Sequence, residues 1–160
     1  MKTLLLFLLI TATATAQKIK PENMTTQLGR VLVGIDNDKV SIFICKVYKD
    51  AKRIERDFGV PVSLTIAQAA IETGFGKSRL CKEENNYFGI RRNHKNMSYN
   101  SKSESFTDYG KVMTQRCYNV HICHDVDCWI AALKVCKYAG IEDYGQKVKS
   151  IIKRYKLNLL

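Results

Sequence analysis

Apolar residues return every three or four positions at Val40, Phe43, Ile44, Val47, Ala51, Ile54 and Phe58, the spacing of one buried helix face. Lys46, Lys49, Lys52, Arg53, Glu55 and Arg56 fill the wet face, and Gly59 stands where a C-cap belongs. Pro61 disfavours helix at Val60, so 60–62 reads as extended. Ser63 then caps a second helix from about Leu64 to Thr73, which is apolar almost all round and rich in alanine. Ser78 caps a short helix over 79–84. The stretch 91–103 has little periodicity and room for no more than one small hairpin. Ser105 with Asp108 predicts a helix running to about Tyr118. Asp125 or Asp127 opens another, with Trp129, Ile130, Leu133, Val135 and Cys136 as its apolar positions and an end at Tyr138-Ala139-Gly140. Val148, Ile151 and Ile152 mark the inner face of a last helix over 144–155, with basic residues at its C-terminal end. About six helices and a vestigial hairpin make a mainly α domain.

The N-terminus has a different pattern. Lys2, the apolar run from Leu4 to Ile10 and the small residues Ala14-Thr15-Ala16 predict a signal peptide over 1–16, too short to span a bilayer. Residues 17–38 form an N-terminal arm, in which Arg30 to Ile35 is a short strand or simply packs on the domain, and 39–160 form the domain proper. The mature chain is then secreted or periplasmic, with no integral membrane segment after signal cleavage. All six cysteines (Cys45, Cys81, Cys117, Cys123, Cys128 and Cys136) fall after the signal, which suggests up to three disulfides. Cys117, His121, Cys123, His124 and Cys128 are too crowded for an ordinary zinc site, so no metal is expected, nor any cofactor. A net charge of +11, or +10 once Lys2 leaves with the signal, points in an exported chain to a polyanionic partner such as cell-wall polymer, anionic lipid or nucleic acid. Basic residues do not interleave with aromatics in a nucleic-acid motif, which argues against the last.

One residue carries candidate chemistry. Glu72 falls in the last turn of the Ala-rich helix, against the negative end of the helix dipole and among small apolar neighbours. Both influences favour the protonated carboxyl, the form that a general acid needs. The bland alternative is an exposed glutamate that happens to end a helix. Gln68 stands four residues earlier, on the same face.

Three stretches resemble the glucosaminidase domain, glycoside hydrolase family 73, of bacterial and phage cell-wall hydrolases. Ala67-Gln68-Ala69-Ala70-Ile71-Glu72-Thr73-Gly74-Phe75-Gly76-Lys77-Ser78 is similar to its AQA-(L/I)-E-(S/T)-G-W-G-x-S motif. Asn85-Asn86-Tyr87-Phe88-Gly89-Ile90 is similar to NN-L-F-G-I, and Tyr99 through Tyr109 to the Y-D-S-x-E-E-S-F-x-D-Y segment. More weakly, 138–147 keeps the spacing of YATDPNYAxK. The resemblance covers about residues 40 to 157. It implies an α+β lysozyme-like fold with a reduced β-hairpin lobe beside a saccharide groove. Its implied activity is that of an endo-β-N-acetylglucosaminidase on peptidoglycan glycan strands, acting as a monomer. On that footing Glu72 protonates the glycosidic oxygen between N-acetylglucosamine and N-acetylmuramic acid, and Gln68, Asn86, Tyr87, Phe88 and Tyr138 form the substrate-binding set. Core packing is the competing role for Phe88, and a helix-end cap for Tyr138.

The chain departs from the family in one respect. Related enzymes often carry a second carboxylate on the hairpin, whereas 91–98 here contains no acid. Glycosidases that use two carboxylates hold them about 5–5.5 Å apart for retention and about 6.5–9.5 Å for inversion. Glu104 is the nearest candidate in sequence, and the substrate's own acetamido group is the other. Two further functions fit the same sequence: a lytic transglycosylase or muramidase on the same fold, and a non-catalytic cationic wall-binding or antimicrobial protein.

Overall fold

A computed structural model of the chain describes residues 27–116, 123, 125–136 and 143–160. Among these residues the order is α1 (Gln27–Val33), α2 (Asp38–Phe58), α3 (Val62–Thr73), α4 (Arg79–Glu84), β1 (Arg91–Arg92), β2 (Lys95–Asn96), α5 (Lys102–Arg116), α6 (Val126–Val135) and α7 (Tyr144–Arg154), with a terminal 3-10 turn over Leu157–Leu159. The expected mainly helical architecture with one small hairpin is present. The strands pair antiparallel, Arg91 opposite Asn96 and Arg92 opposite Lys95. The expected signal peptide over 1–16, the start of the arm, Tyr138, Cys117, His121 and His124 lie outside the described residues.

Helix α3 is the hub. Of its 12 residues, 62–70 and Thr73 are buried, and only Ile71 and Glu72 keep partial exposure. It packs against α2, α7 and the terminal turn. Each fully buried Leu or Ile here, such as Leu64 or Ile66, contributes about 1.5–3 kcal/mol relative to exposure. The α2 face expected from the sequence is the buried one, with Val40, Phe43, Ile44, Val47, Ala51 and Ile54 all inside. Asn37 Oδ1 accepts from the Lys39 and Val40 amides at its start, and Gly59 closes it at φ +71. Helices α6 and α7 meet at Gly145, where an added Cβ would stand 2.9 Å from Ile130.

Several local expectations are corrected. The segment 30–35 forms no strand: 27–33 is helical, and Val31 and Leu32 enter the core as neighbours on one helix face. Helix α3 begins two residues earlier than expected. Ser63 is buried inside it, and the cap is supplied from α2, where Glu55 Oε1 accepts from the Val62 amide at 3.2 Å. Helix α5 begins at Lys102 with a reciprocal box. The Glu104 amide donates to Ser101 Oγ, and Glu104 Oε2 accepts from the Asn100 amide. Asp125 caps α6, but Val135 at its end faces solvent. The expectation of up to three disulfides narrows, because Cys45 is a free exposed thiol and Cys81 a free buried one. Cys123 bonds to Cys128, and Cys136 is also disulfide-bonded. Among the described residues no helix is long and apolar enough to cross a membrane.

Candidate active site

Glu72 sits where α3 stops. Thr73 ties off the helix: its hydroxyl donates to the Ala69 carbonyl at 2.6 Å and accepts from the Gly76 amide at 2.8 Å. The turn at 74–76 runs through three successive left-handed residues. For Phe75 that conformation costs about 1–2 kcal/mol, and its ring is held edge-on between Phe43 and Tyr155. The helix end is therefore fixed by packing on both sides of the carboxylate.

The carboxyl is half-buried. Tyr144, the first residue of α7, donates its hydroxyl to Glu72 Oε1 at 2.9 Å. The same hydroxyl oxygen accepts from Gln68 Nε2 at 3.2 Å, and Gln68 Oε1 accepts from the Tyr109 hydroxyl at 2.6 Å. Gln68 and Tyr109 are fully closed to solvent. This chain of three side chains, from α5 through α3 to α7, aims the Tyr144 proton at Glu72. Burial pushes the Glu72 carboxyl above the ordinary range, and the Tyr144 hydrogen bond pulls the other way. Burial is the larger effect, which agrees with the direction read from the sequence.

The second motif lies against the acid through Gly89. Its φ is +61, and a Cβ placed there would stand 3.3 Å from Glu72 Oε2. Asn86 makes that approach possible. Its Nδ2 donates to the Ile90 and Met97 carbonyls, and its Oδ1 accepts from the Phe88 and Ile90 amides. Phe88 stacks on Tyr109 with ring centroids 3.8 Å apart. The Tyr87 amide donates to Ser105 Oγ, while its ring packs on Phe106 under Lys46.

Gln68, Asn86, Tyr87 and Phe88 are therefore all buried. Their side chains are spent on holding the helix end and the loop, and offer almost no surface to a sugar. Tyr144, Tyr109 and Gly89 were not singled out in the sequence. Tyr144 left one signal: it shares the buried stripe of α7 with Val148 and Ile152, and a hydroxyl on such a stripe needs a partner.

No second carboxylate joins Glu72 from the hairpin. Arg92 pairs with Asp108 on α5 through two 2.7 Å hydrogen bonds, and the Tyr99 hydroxyl donates to the same carboxylate at 2.6 Å. Arg92 above all holds the Asp108 carboxyl below its usual range. The Glu104 carboxylate caps α5. Among the described residues no group of His, Cys, Asp and Glu could hold a metal ion. What the arrangement offers chemically is one shielded carboxyl with a raised proton affinity and a fixed hydrogen-bond donor on one of its oxygens.

Comparison with known proteins gives consistent matches. A family model described as Glucosaminidase (mannosyl-glycoprotein endo-beta-N-acetylglucosaminidase) matches residues 48–157. An N-acetylmuramoyl-L-alanine amidase domain-containing protein of Staphylococcus aureus is 28% identical over 154 residues, covering 77% of this chain and 25% of that protein. Exo-glucosaminidase LytG of Bacillus subtilis is 24% identical over 150 residues, covering 76% of this chain and 53% of that protein. The chain thus spans about a quarter to a half of the length of these relatives. Among solved structures, the glycoside hydrolase domain of Salmonella typhimurium FlgJ is 25% identical with a TM-score of 0.64, covering 74% of this chain and 89% of that one. The catalytic domain of the autolysin Auto from Listeria monocytogenes is 22% identical with a TM-score of 0.67, covering 77% and 88%. That likeness carries the fold alone.

Proposed function

The chain belongs to the glucosaminidase family of glycoside hydrolases, and on that premise we propose that it is an exported peptidoglycan hydrolase. It cleaves the β-1,4 bond from N-acetylglucosamine to N-acetylmuramic acid within the glycan strand, with Glu72 as the general acid. The observation that carries this reading is a half-buried Glu72 carboxyl, raised in proton affinity, at the end of α3 between Tyr144 and Gly89. Export is supported by the Cys123–Cys128 disulfide and by the expected signal peptide.

With Oε1 accepting from Tyr144, the transferable proton sits on Oε2. It passes to the bridging oxygen as the bond from that oxygen to the anomeric carbon breaks, which leaves N-acetylmuramic acid as the alcohol. The Glu72 carboxylate that forms keeps the Tyr144 hydrogen bond, which strengthens as charge builds up on the acid. Because Glu104 and Asp108 are both engaged elsewhere, the route that fits this residue set uses the substrate's acetamido oxygen as the nucleophile at the anomeric carbon. Water then opens that intermediate, and Glu72 takes its proton back. Gln68, Tyr109, Asn86 and Phe88 act as positioning residues.

Mass spectrometry of digested wall tests the bond. A new reducing N-acetylglucosamine end supports the proposal. A reducing muramic end or an anhydro-muramic end contradicts it.

A further inference from the structure

The last 17 residues, 144–160, hold five Lys or Arg and no acid. Elsewhere on the described surface some cations are paired with carboxylates, as in Arg53–Asp50, Arg79–Glu83 and Lys102–Asp50, and others such as Lys49 and Lys95 are not. Four of the five lie on α7 and Lys156 just past its end, and of the five only Lys149 is paired, with Asp127 at 2.8 Å. Lys147, Lys153, Arg154 and Lys156 are exposed and have no ion pair among the described residues. The opposite face of α7 is buried through Tyr144, Val148 and Ile152. One element therefore holds the acid at its N-terminus and carries unneutralised cations outward from that point.

We propose that this face of α7 binds the carboxylates of the acidic stem peptides borne by the glycan, so that peptide-bearing strands are favoured over bare ones. The proposal rests on the glucosaminidase reading. Stem peptides are attached to the same polymer whose glycosidic bond reaches Glu72, so their carboxylates arrive with the substrate. Along the helix axis Lys147 lies about 9–10.5 Å before Lys153 and Arg154, so the cations reach two separated points on a peptide rather than one carboxylate. A membrane surface fits less well, because the apolar face that an interfacial helix would insert is already buried in the core.

The test is a binding measurement in the Glu72→Gln background, which separates it from catalysis. The probes are peptide-bearing glycan strands and the same strands stripped of peptide by an amidase. Replacing Lys147, Lys153, Arg154 and Lys156 with Gln is expected to weaken binding to peptide-bearing strands roughly tenfold at low salt, with little change on stripped strands. A charge-matched control, Lys39, Lys49, Lys82 and Lys95 to Gln, is expected to retain the preference. Equal weakening on both strands, or the same loss in the control, overturns the proposal. Sugar release by the wild-type enzyme is scored separately: if neither strand is cleaved, it is the glucosaminidase reading that fails.

Discussion

Glu72 has a different neighbour at each oxygen, the Tyr144 hydroxyl at Oε1 and Gly89 at Oε2. Tyr144→Phe removes the one influence that lowers the Glu72 proton affinity and leaves burial unopposed. A general acid works while protonated, so the alkaline limb of the kcat/KM profile should move to higher pH. The rate should fall roughly tenfold with the lost transition-state hydrogen bond. A pH–rate profile of the variant beside wild type measures both. The same raised proton affinity affects stability. Its contribution is fully present below the unfolded pKa and is lost as pH rises through the folded one. Glu72→Gln should therefore melt higher than wild type at neutral pH, with the gap closing as the pH is lowered past ordinary carboxylate values. Gly89→Ala forces a Cβ into a left-handed position beside Oε2, and should cost about 1–2 kcal/mol in denaturant melts as well as activity. Glu72 was legible because a carboxylate in the last turn of an alanine-rich helix is visible locally. Its partner was not, because the Tyr144 hydrogen bond joins residues 72 apart in the chain, and the buried stripe of α7 shows only that the hydroxyl needs a partner, not which one.

At the scale of elements, the loop and hairpin beside the acid are held by polar clamps. Asn86→Ala removes four hydrogen bonds to the backbone, of whose acceptors and donors only the Ile90 carbonyl keeps another partner among the described residues, the Met97 amide, and should destabilise by about 2–3 kcal/mol, read from urea unfolding. The hairpin is tied to α5 through Arg92 and Asp108, whose carboxyl is held below its usual range. That tie contributes above the unfolded Asp pKa and is lost as pH falls through the folded one. Thermal melts from about pH 5 down to about pH 2 should therefore show Asp108→Asn losing less stability than wild type. Amphipathic elements such as α2, with 21 residues, and α7, with 11, were readable from period alone, since several turns average out local noise. The starts of α3 and α5 were misread because a serine looked like a cap. Ser63 and Ser105 are both inside helices, and Ser105 accepts from the distant Tyr87 amide. The true caps of α3 and α5 are Glu55 and the Ser101–Glu104 box. A cap supplied by another helix leaves no mark beside the segment it caps.

At the scale of the whole molecule, α3 is surrounded so that its apolar residues form the core while Glu72 reaches the surface. The long face of α2, the short hairpin and the acidic helix end were legible in sequence. The cysteine framework was not, since an even count does not reveal that Cys45 stays exposed and Cys81 is buried alone. The roles of Gln68, Asn86, Tyr87 and Phe88 changed for a related reason. A motif reports that residues lie near a site, and only burial tells those that face the ligand from those that build the wall behind it. The most direct test of the central claim is sugar release from purified wall by Glu72→Gln beside wild type, with folding and wall binding measured on the same samples. The account expects the variant to fold, to bind wall, and to lose at least about a hundredfold in release of reducing N-acetylglucosamine ends. Undiminished release by a folded Glu72→Gln would contradict it.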